Sequence, residues 1–237
     1  MVEAASRLTG ASEQSDWHDK GWELIPAFLQ ADEVEQLRLE ADRLWADQRL
    51  FAERGAVPNS PTRSDRLDPV IDVSQPFDAL ARDDRLLGAV ARALGGRPQL
   101  MKDKFIAKPP GASGYAAHQD GAYWPGMGFD VSRFLTAVIF LDDATAENGA
   151  IECVAGYHRQ MLTDPDVIAD LDEASLDAFT TVEARAGDLL LLHALTPHRS
   201  GPNRSARMRR ALLFTYGVDE RPNLYALYKQ FQQDIRR

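Results

Sequence analysis

Gly187-Asp188-Leu189-Leu190-Leu191-Leu192-His193-Ala194-Leu195-Thr196-Pro197-His198-Arg199-Ser200-Gly201-Pro202-Asn203 is the stretch whose reading decides the fold. Its leucine run reads as a buried strand, opened by a glycine and an aspartate. A turn rich in proline and glycine follows, headed by His198. Next comes a basic cluster, Arg204-Ser205-Ala206-Arg207-Met208-Arg209-Arg210, which opens a second apolar strand over Ala211 to Val218. A histidine and a set of cations therefore sit between two strands.

Working upstream, His118-Gln119-Asp120 answers His198. On an extended segment residues i and i+2 point to the same side, so His118 and Asp120 can reach one ion. Two histidines and a carboxylate make the facial triad that suits non-haem Fe(II) and leaves coordination positions open. Open positions separate a catalytic metal site from a closed structural one. An H-x-D triplet also occurs in plain surface loops, so its surroundings matter. Gly111, Gly114 and Gly121 flank this one, with Tyr115, Tyr123, Trp124 and Pro125 beside it. Turn residues with aromatic walls read as a ligand pocket. His193 competes with His198 for the third position; the turn that His198 heads favours it, and His193 is expected to be a barrel or supporting residue.

These stretches resemble the phytanoyl-CoA dioxygenase (PhyH-like) family of Fe(II)/2-oxoglutarate oxygenases. Three pieces carry the resemblance. One runs from Lys102-Asp103-Lys104 through Lys108-Pro109-Pro110 to His118-Gln119-Asp120. Another runs from Glu147-Asn148-Gly149 to Gly156-Tyr157-His158. The last runs from Gly187-Asp188 through His198-Arg199-Ser200-Gly201-Pro202-Asn203 to Arg209. The resemblance implies Fe(II) held by His118, Asp120 and His198, with 2-oxoglutarate and O2 as co-substrates. The far carboxylate of 2-oxoglutarate needs a fixed cation, and the planar fork of arginine suits it better than lysine. Arg207, Arg209 and Arg210 are the candidates. Arg209 falls at the family's spacing after the distal histidine and leads Ala211 and Leu213 on one strand face, whereas Arg210 points away. Ser200 is expected to add a hydroxyl to the same carboxylate. Lys104 and Thr136 fall where the family offers co-substrate contacts. His158 fits the family's corner as a structural residue, with Tyr157 in place of the usual serine. Arg199 departs from the small residue usual between the histidine and the serine. In related halogenases a small residue replaces the carboxylate; Asp120 is present here, so hydroxylation of a C–H bond is implied.

Composition bounds the alternatives. A chain of 237 residues is long enough for one large β-cored domain with helices. The single cysteine, Cys153, excludes an internal disulfide and favours a cytoplasmic location. No apolar run is long enough to span a bilayer, and Met1 to Ser15 has no signal-peptide pattern. Residues 1–15 are expected to be a flexible tail before a single domain over 16–237. A net charge of -9 argues against a nucleic-acid partner. The arginines clustered beside the site in an acidic chain suggest an anionic ligand.

Helix periodicity appears at Val34, Leu37, Ala41 and Leu44, with Asp32 as the expected cap, and again at Leu86, Leu87, Val90 and Leu94, closed by Gly95-Gly96. Glu53 to Asp72, broken by Gly55, Pro58, Asn59, Pro61 and Pro69, reads as a loop and a candidate substrate lid reaching in with Arg63 and Arg66. Strands are expected at Leu100–Ala107, Phe134–Leu141, Ile151–Ala155, Thr180–Arg185, Asp188–His193 and Ala211–Val218, with a closing helix over Asn223–Ile235. Acidic Asp164 to Ala178 reads as a solvated connection. Many short strands with helices gathered at the N-terminus argue for a jelly roll. The resemblance sharpens this to a mainly β, double-stranded β-helix, cupin-like core with flanking helices.

Three functional readings follow. The leading one is an Fe(II)/2-oxoglutarate hydroxylase of a small molecule, its pocket lined by Arg63, Arg66, Tyr115, Tyr123, Trp124 and Arg199. The second is a cupin-like metal enzyme that does not use 2-oxoglutarate. The third is an inactive small-molecule-binding module. The family's namesake substrate is a fatty-acyl-CoA, but this chain is short of residues for a CoA site, so a compact substrate with an anionic group is expected.

Overall fold

The computed structural model describes residues 16–54, 65–124, 126–162 and 179–235. The expected flexible tail, the central part of the expected lid with Arg63, and the whole acidic connection lie outside these. The jelly-roll expectation holds: two antiparallel sheets face each other. The larger has the order β1-β8-β5-β10-β3-β2 and the smaller β4-β9-β6-β7. The strands of the larger sheet are β1 (Trp22–Ile25), β2 (Arg66–Leu67), β3 (Gln99–Lys108), β5 (Phe134–Phe140), β8 (Leu189–His193) and β10 (Arg209–Gly217). Those of the smaller are β4 (Tyr115–His118), β6 (Ile151–Val154), β7 (Phe179–Val182) and β9 (His198–Ser200).

The larger sheet is buried on both faces, as all seven residues of β5 are. Period-2 alternation divides its side chains between two cores. Leu135, Ala137, Ile139, Leu189, Leu191, Leu212, Phe214 and Tyr216 meet the helices. Val138, Phe140, Leu190, Leu192 and Ala211 turn inward to meet Ile151, Cys153 and Val182 of the smaller sheet. A strand flanked by apolar layers on each side reads as a continuous hydrophobic run, which is why β5 and β8 carry no polar alternation.

The helices are α1 (Asp16–Lys20), α2 (Ala31–Ala46), α3 (Gln48–Arg54), α4 (Gln75–Ala81), α5 (Asp84–Leu94) and α6 (Leu224–Ile235). Helix α2 buries Val34, Leu37, Ala41 and Leu44 as their spacing requires. Its cap is Gln30, in a reciprocal pair with Glu33, and not Asp32, which lies in the first turn. Gly95 ends α5 in the left-handed conformation. Three helices were not legible: α1, α3 and α4 carry too few turns for periodicity to emerge. The expected loop also shrinks, because its start belongs to α3 and Arg66–Leu67 forms a strand on β3. Among the described residues, no helix is long and apolar enough to cross a membrane.

Candidate active site

His118 ends β4 and His198 opens β9, and the two are direct partners across that strand pair. Their rings stand 4.2 Å apart between centroids. The backbone stays extended through Gln119, so Asp120 turns to the same side as His118, with Oδ1 3.8 Å from His118 Nε2. Gln119 faces the other way and locks the triplet: its Nε2 donates to the carbonyls of Gln160 and Leu195, and its Oε1 accepts from the amide of Leu162. One ligand atom from each of His118, Asp120 and His198 lies within 4.8 Å of the other two, a span that one metal ion can bridge.

The ring nitrogens are already sorted for that task. His118 Nδ1 is 2.8 Å from the carbonyl of Ala116, and His198 Nδ1 is 2.9 Å from that of Thr196. A carbonyl only accepts, so each Nδ1 carries the proton and each Nε2 presents a lone pair. Burial, then the neighbouring His198, pushes the His118 imidazolium down to about 4, which makes the neutral ligand form the resting one. Burial opposes the charge on Asp120, but Lys104 and the two histidines outweigh it and hold the carboxyl below its ordinary range. Thr136 Oγ1 donates to Asp120 Oδ2 at 2.8 Å. Thr136 also lies 3.0 Å from Thr215 Oγ1, and with its own proton spent on the carboxylate it accepts from Thr215. A hydroxyl relay from β10 through β5 thus orients Asp120, leaving Oδ1 toward the histidines. Thr136 contacts the carboxylate of the triad, where a co-substrate contact was expected.

The inward face of the larger sheet carries a row of cations. Arg209 pairs with Lys108 across β10 and β3, Leu213 with Lys104, and Thr215 with Lys102. Arg209 is 4% exposed and its Nε has no hydrogen-bond partner among the described residues. Burial lowers its pKa, the sign of a charge held where water does not reach it. Ser200 stands two residues beyond His198 on the same face of β9. Lys104 lies near Asp120, and burial together with Lys102 brings its ammonium down to about 8. Lys108 was missed as a site residue. Its signal was available, because Lys102, Lys104 and Lys108 are separated by even intervals on one strand.

The pocket candidates scatter. Tyr123 is 61% exposed with its ring 5.5 Å from that of His118, at the open side of the site. Arg66 lies opposite Ile106, on the inward face, and its guanidinium is 4.0 Å from Asp68. Tyr115 pairs with Ser200 and sends its hydroxyl to Asp65 at 3.4 Å, so it belongs to the Arg209 end. Two expectations are corrected. Trp124 is buried with Met101, Phe134, Leu224 and Tyr228 and anchors the metal loop in an apolar cluster. Arg199 alternates to the far face from His198 and Ser200, where it pairs with Glu152 at 2.5 Å and stacks on Phe179. His193 is placed as expected: Leu195 donates to its Nδ1 and its Nε2 donates to Ser132, away from the triad. His158 packs edge-on against it.

The conserved-family profile described as phytanoyl-CoA dioxygenase (PhyH) matches residues 17–211. The chain belongs to the phytanoyl-CoA dioxygenase (PhyH) family. Among PhyH relatives, a probable alpha-ketoglutarate-dependent hypophosphite dioxygenase of Stutzerimonas stutzeri is 29% identical, over 88% of this chain and 78% of that protein. A methylphosphonate hydroxylase of Gimesia maris is also 29% identical, over 91% and 85%. Among solved structures, the alpha-ketoglutarate-dependent epimerase SnoN from nogalamycin biosynthesis aligns with a TM-score of 0.72 and 26% identity, over 85% of this chain and 78% of that one. EctD from S. alaskensis, with 2-oxoglutarate and 5-hydroxyectoine, aligns at 0.74 and 22% identity, over 87% and 78%, and so speaks for the fold. This PhyH protein is an Fe(II)/2-oxoglutarate-dependent oxygenase.

Proposed function

We propose that this chain hydroxylates a C–H bond of a small anionic metabolite, with Fe(II), 2-oxoglutarate and O2, releasing succinate and CO2. The observation that carries this reading is one barrel interior holding both halves of the machinery. At one end stand His118, Asp120 and His198, with both Nδ1 protons parked on backbone carbonyls. At the other stands a buried Arg209. A donor set of two neutral imidazoles and one carboxylate fits ferrous iron, and a sealed guanidinium fits a carboxylate.

The residue roles are our assignments. His118, Asp120 and His198 hold the iron. Thr136 keeps Asp120 in its orientation. Arg209 and Ser200 receive the distal carboxylate of 2-oxoglutarate, and Lys104 lies where it can meet either the co-substrate or the substrate. Iron bound there would activate O2, the oxidant that cleavage of an unactivated C–H bond requires. The protein's share is to bind, orient and exclude water. The apolar layer of Val138, Phe140, Leu190 and Leu192 keeps water out of the barrel beneath the site.

For the substrate we infer a compact oxyanion. Arg66, Lys102 and Lys104 bring three positive charges toward the open side of the site, with Asp68 offsetting part of them. The substrates in the names of the relatives, hypophosphite, methylphosphonate and 2-aminoethylphosphonate, are small phosphorus oxyanions and support this class. Tyr123 is the aromatic wall, and Arg63 remains a candidate outside the described residues. We read residues 16–237 as one catalytic domain, and a cytoplasmic location is supported by the single cysteine.

The test is anaerobic titration of the protein with Fe(II) and then 2-oxoglutarate, following the visible metal-to-ligand charge-transfer band. Succinate release under O2 is then measured against a panel of methylphosphonate, hypophosphite and ectoine. A band that Asp120→Ala abolishes, with succinate release stimulated by methylphosphonate, is the expected result; stimulation by hypophosphite alone, which carries P–H and no C–H bonds, would overturn the C–H assignment. An iron-loaded, folded wild type without a band would overturn the co-substrate assignment. Stimulation by ectoine alone would overturn the substrate class.

A further inference from the structure

Lys108 is the last residue of β3 and the register partner of Arg209 on β10. Direct partners of an antiparallel pair share a face, so both cations enter the same end of the barrel. Lys108 is fully buried. Its Nζ donates to Ser200 Oγ at 3.0 Å and to the carbonyl of Gly201 at 2.5 Å, and it stands 5.8 Å from the ring of Tyr115. All of these neighbours are neutral. Among the described residues, Asp65, also fully buried, is the carboxylate whose charge reaches both Lys108 and Arg209. Asp142, which also favours Arg209, is already held by Arg210.

Among the described residues, two sealed cations thus feel one carboxylate in common. Burial and the adjacent Arg209 push the Lys108 ammonium down to about 7. A like-charged buried pair is unfavourable until an anion joins it. The surrounding backbone keeps the lysine in place nonetheless. Gly149, at φ +77°, passes so close that a Cβ there would stand 2.7 Å from Lys108 Nζ. Asn203 Nδ2 donates to the Lys108 carbonyl at 2.9 Å. The hydrogen-bond directions also carry information. An ammonium only donates, so Ser200 Oγ accepts from Lys108 and its own proton is free to point elsewhere.

We propose that Lys108 is a second cation of the co-substrate site: its Nζ and the Arg209 guanidinium together bind the distal carboxylate of 2-oxoglutarate, and Lys108 turns the Ser200 hydroxyl into a donor toward that carboxylate. The inference rests on the 2-oxoglutarate reading above. Arginine supplies the planar fork, and lysine supplies a point charge from another direction. The site then discriminates for a 2-oxo acid that carries a second carboxylate.

The experiment compares 2-oxoglutarate with 2-oxobutyrate, which offers the same chelating head and no distal carboxylate. Both are titrated anaerobically into the iron-loaded full chain, reading the charge-transfer band, for wild type, Lys108→Met, Lys108→Gln and Lys108→Arg, with thermal unfolding alongside. Lys108→Met is expected to weaken 2-oxoglutarate by at least about tenfold, the scale of a charge-assisted contact, while 2-oxobutyrate stays within about twofold. Lys108→Gln keeps a donor for Ser200 and Gly201 without the charge, and should lose the same discrimination even if the Met variant folds poorly. Lys108→Arg should recover part of it. Equal weakening of both acids would mean that the lysine only holds the fold, and would overturn the proposal. So would an unchanged preference for 2-oxoglutarate in the Lys108 variants, given a wild type that binds 2-oxoglutarate well. A wild type that binds neither acid would overturn the co-substrate reading and the proposal together.

Discussion

Arg209 and Arg210 stand one residue apart on β10 and on opposite faces of one sheet. Arg210 faces outward, where its Nε and Nη2 donate to both oxygens of Asp142 and its Nη1 reaches Asp42. Those carboxylates raise its pKa. Arg209 faces inward, with its Nε unpartnered among the described residues and its pKa lowered by burial. The same side chain is a clamp on one face and a receptor on the other. A charge that the fold itself neutralises adds stability; a charge that the fold buries and leaves open is available to a ligand. The contrast extends along the sheet. The outward face is closed by apolar packing and satisfied ion pairs, while the inward face carries Lys104, Lys108, Arg209, Thr136 and Thr215.

The sharpest break of this contrast is at the triad. Asp120→Ala should abolish iron binding and lower turnover on the order of a thousandfold, since metal chemistry supplies several kcal/mol to the transition state. Arg199→Ala, on the far face from His198, should leave iron binding intact; an equal loss would deny the separation of the faces. The arginine pair comes next. Arg209→Ala should raise the 2-oxoglutarate requirement roughly 10- to 100-fold, the worth of a hydrogen-bonded charge, with little change in unfolding temperature. Arg210→Ala should do the reverse, costing about 1–3 kcal/mol of stability at an unchanged 2-oxoglutarate KM. Matching effects from both would refute the comparison. Thr136→Val should weaken iron binding by about tenfold, as loss of a group that orients a ligand does, measured by equilibrium metal competition. Gly149→Ala introduces a Cβ at a left-handed position against the Gly201 carbonyl and Lys108 Nζ. It should lower the unfolding midpoint by about 1–3 kcal/mol and loosen 2-oxoglutarate binding with it.

The smallest expected effect is a pH dependence. Lys108 sits near pKa 7 without a ligand, and a bound carboxylate raises it. Affinity gained from the charged ammonium is therefore complete below pH 7 and declines as pH rises above it. The 2-oxoglutarate dissociation constant should be flat at low pH and climb above about 7, and Lys108→Met should remove the climb. A flat wild-type profile from pH 6 to 9 would count against the charge on Lys108.

Much of the site was legible because its signals are local. His118 and Asp120 lie two residues apart on extended chain, and alternation alone separates Arg209 from Arg210. The same alternation put Lys108 in line with Lys102 and Lys104, yet lysines are usually solvated, and nothing local distinguishes a lysine at a sheet end that is sealed from one that is wet. Trp124 and Arg199 were misread for a related reason. A tryptophan in a loop and an arginine beside a metal ligand look like pocket walls until their partners are known. Those partners, Leu224 and Tyr228 for one, Glu152 and Phe179 for the other, are distant in the chain.

The sequence by itself determined the periodicities: buried strands, the faces of α2 and α5, the ligand triplet and the histidine turn, each set by spacings of two to four residues. Only the tertiary structure decided which charges are answered. That depends on cross-strand register, on β10 lying between β3 and β5 and β9 beside β4 and β6. Register brings Lys108 to Arg209, Thr215 to Thr136 and Glu152 to Arg199 across separations no local pattern encodes, and the free energy of a buried charge is set by those neighbours.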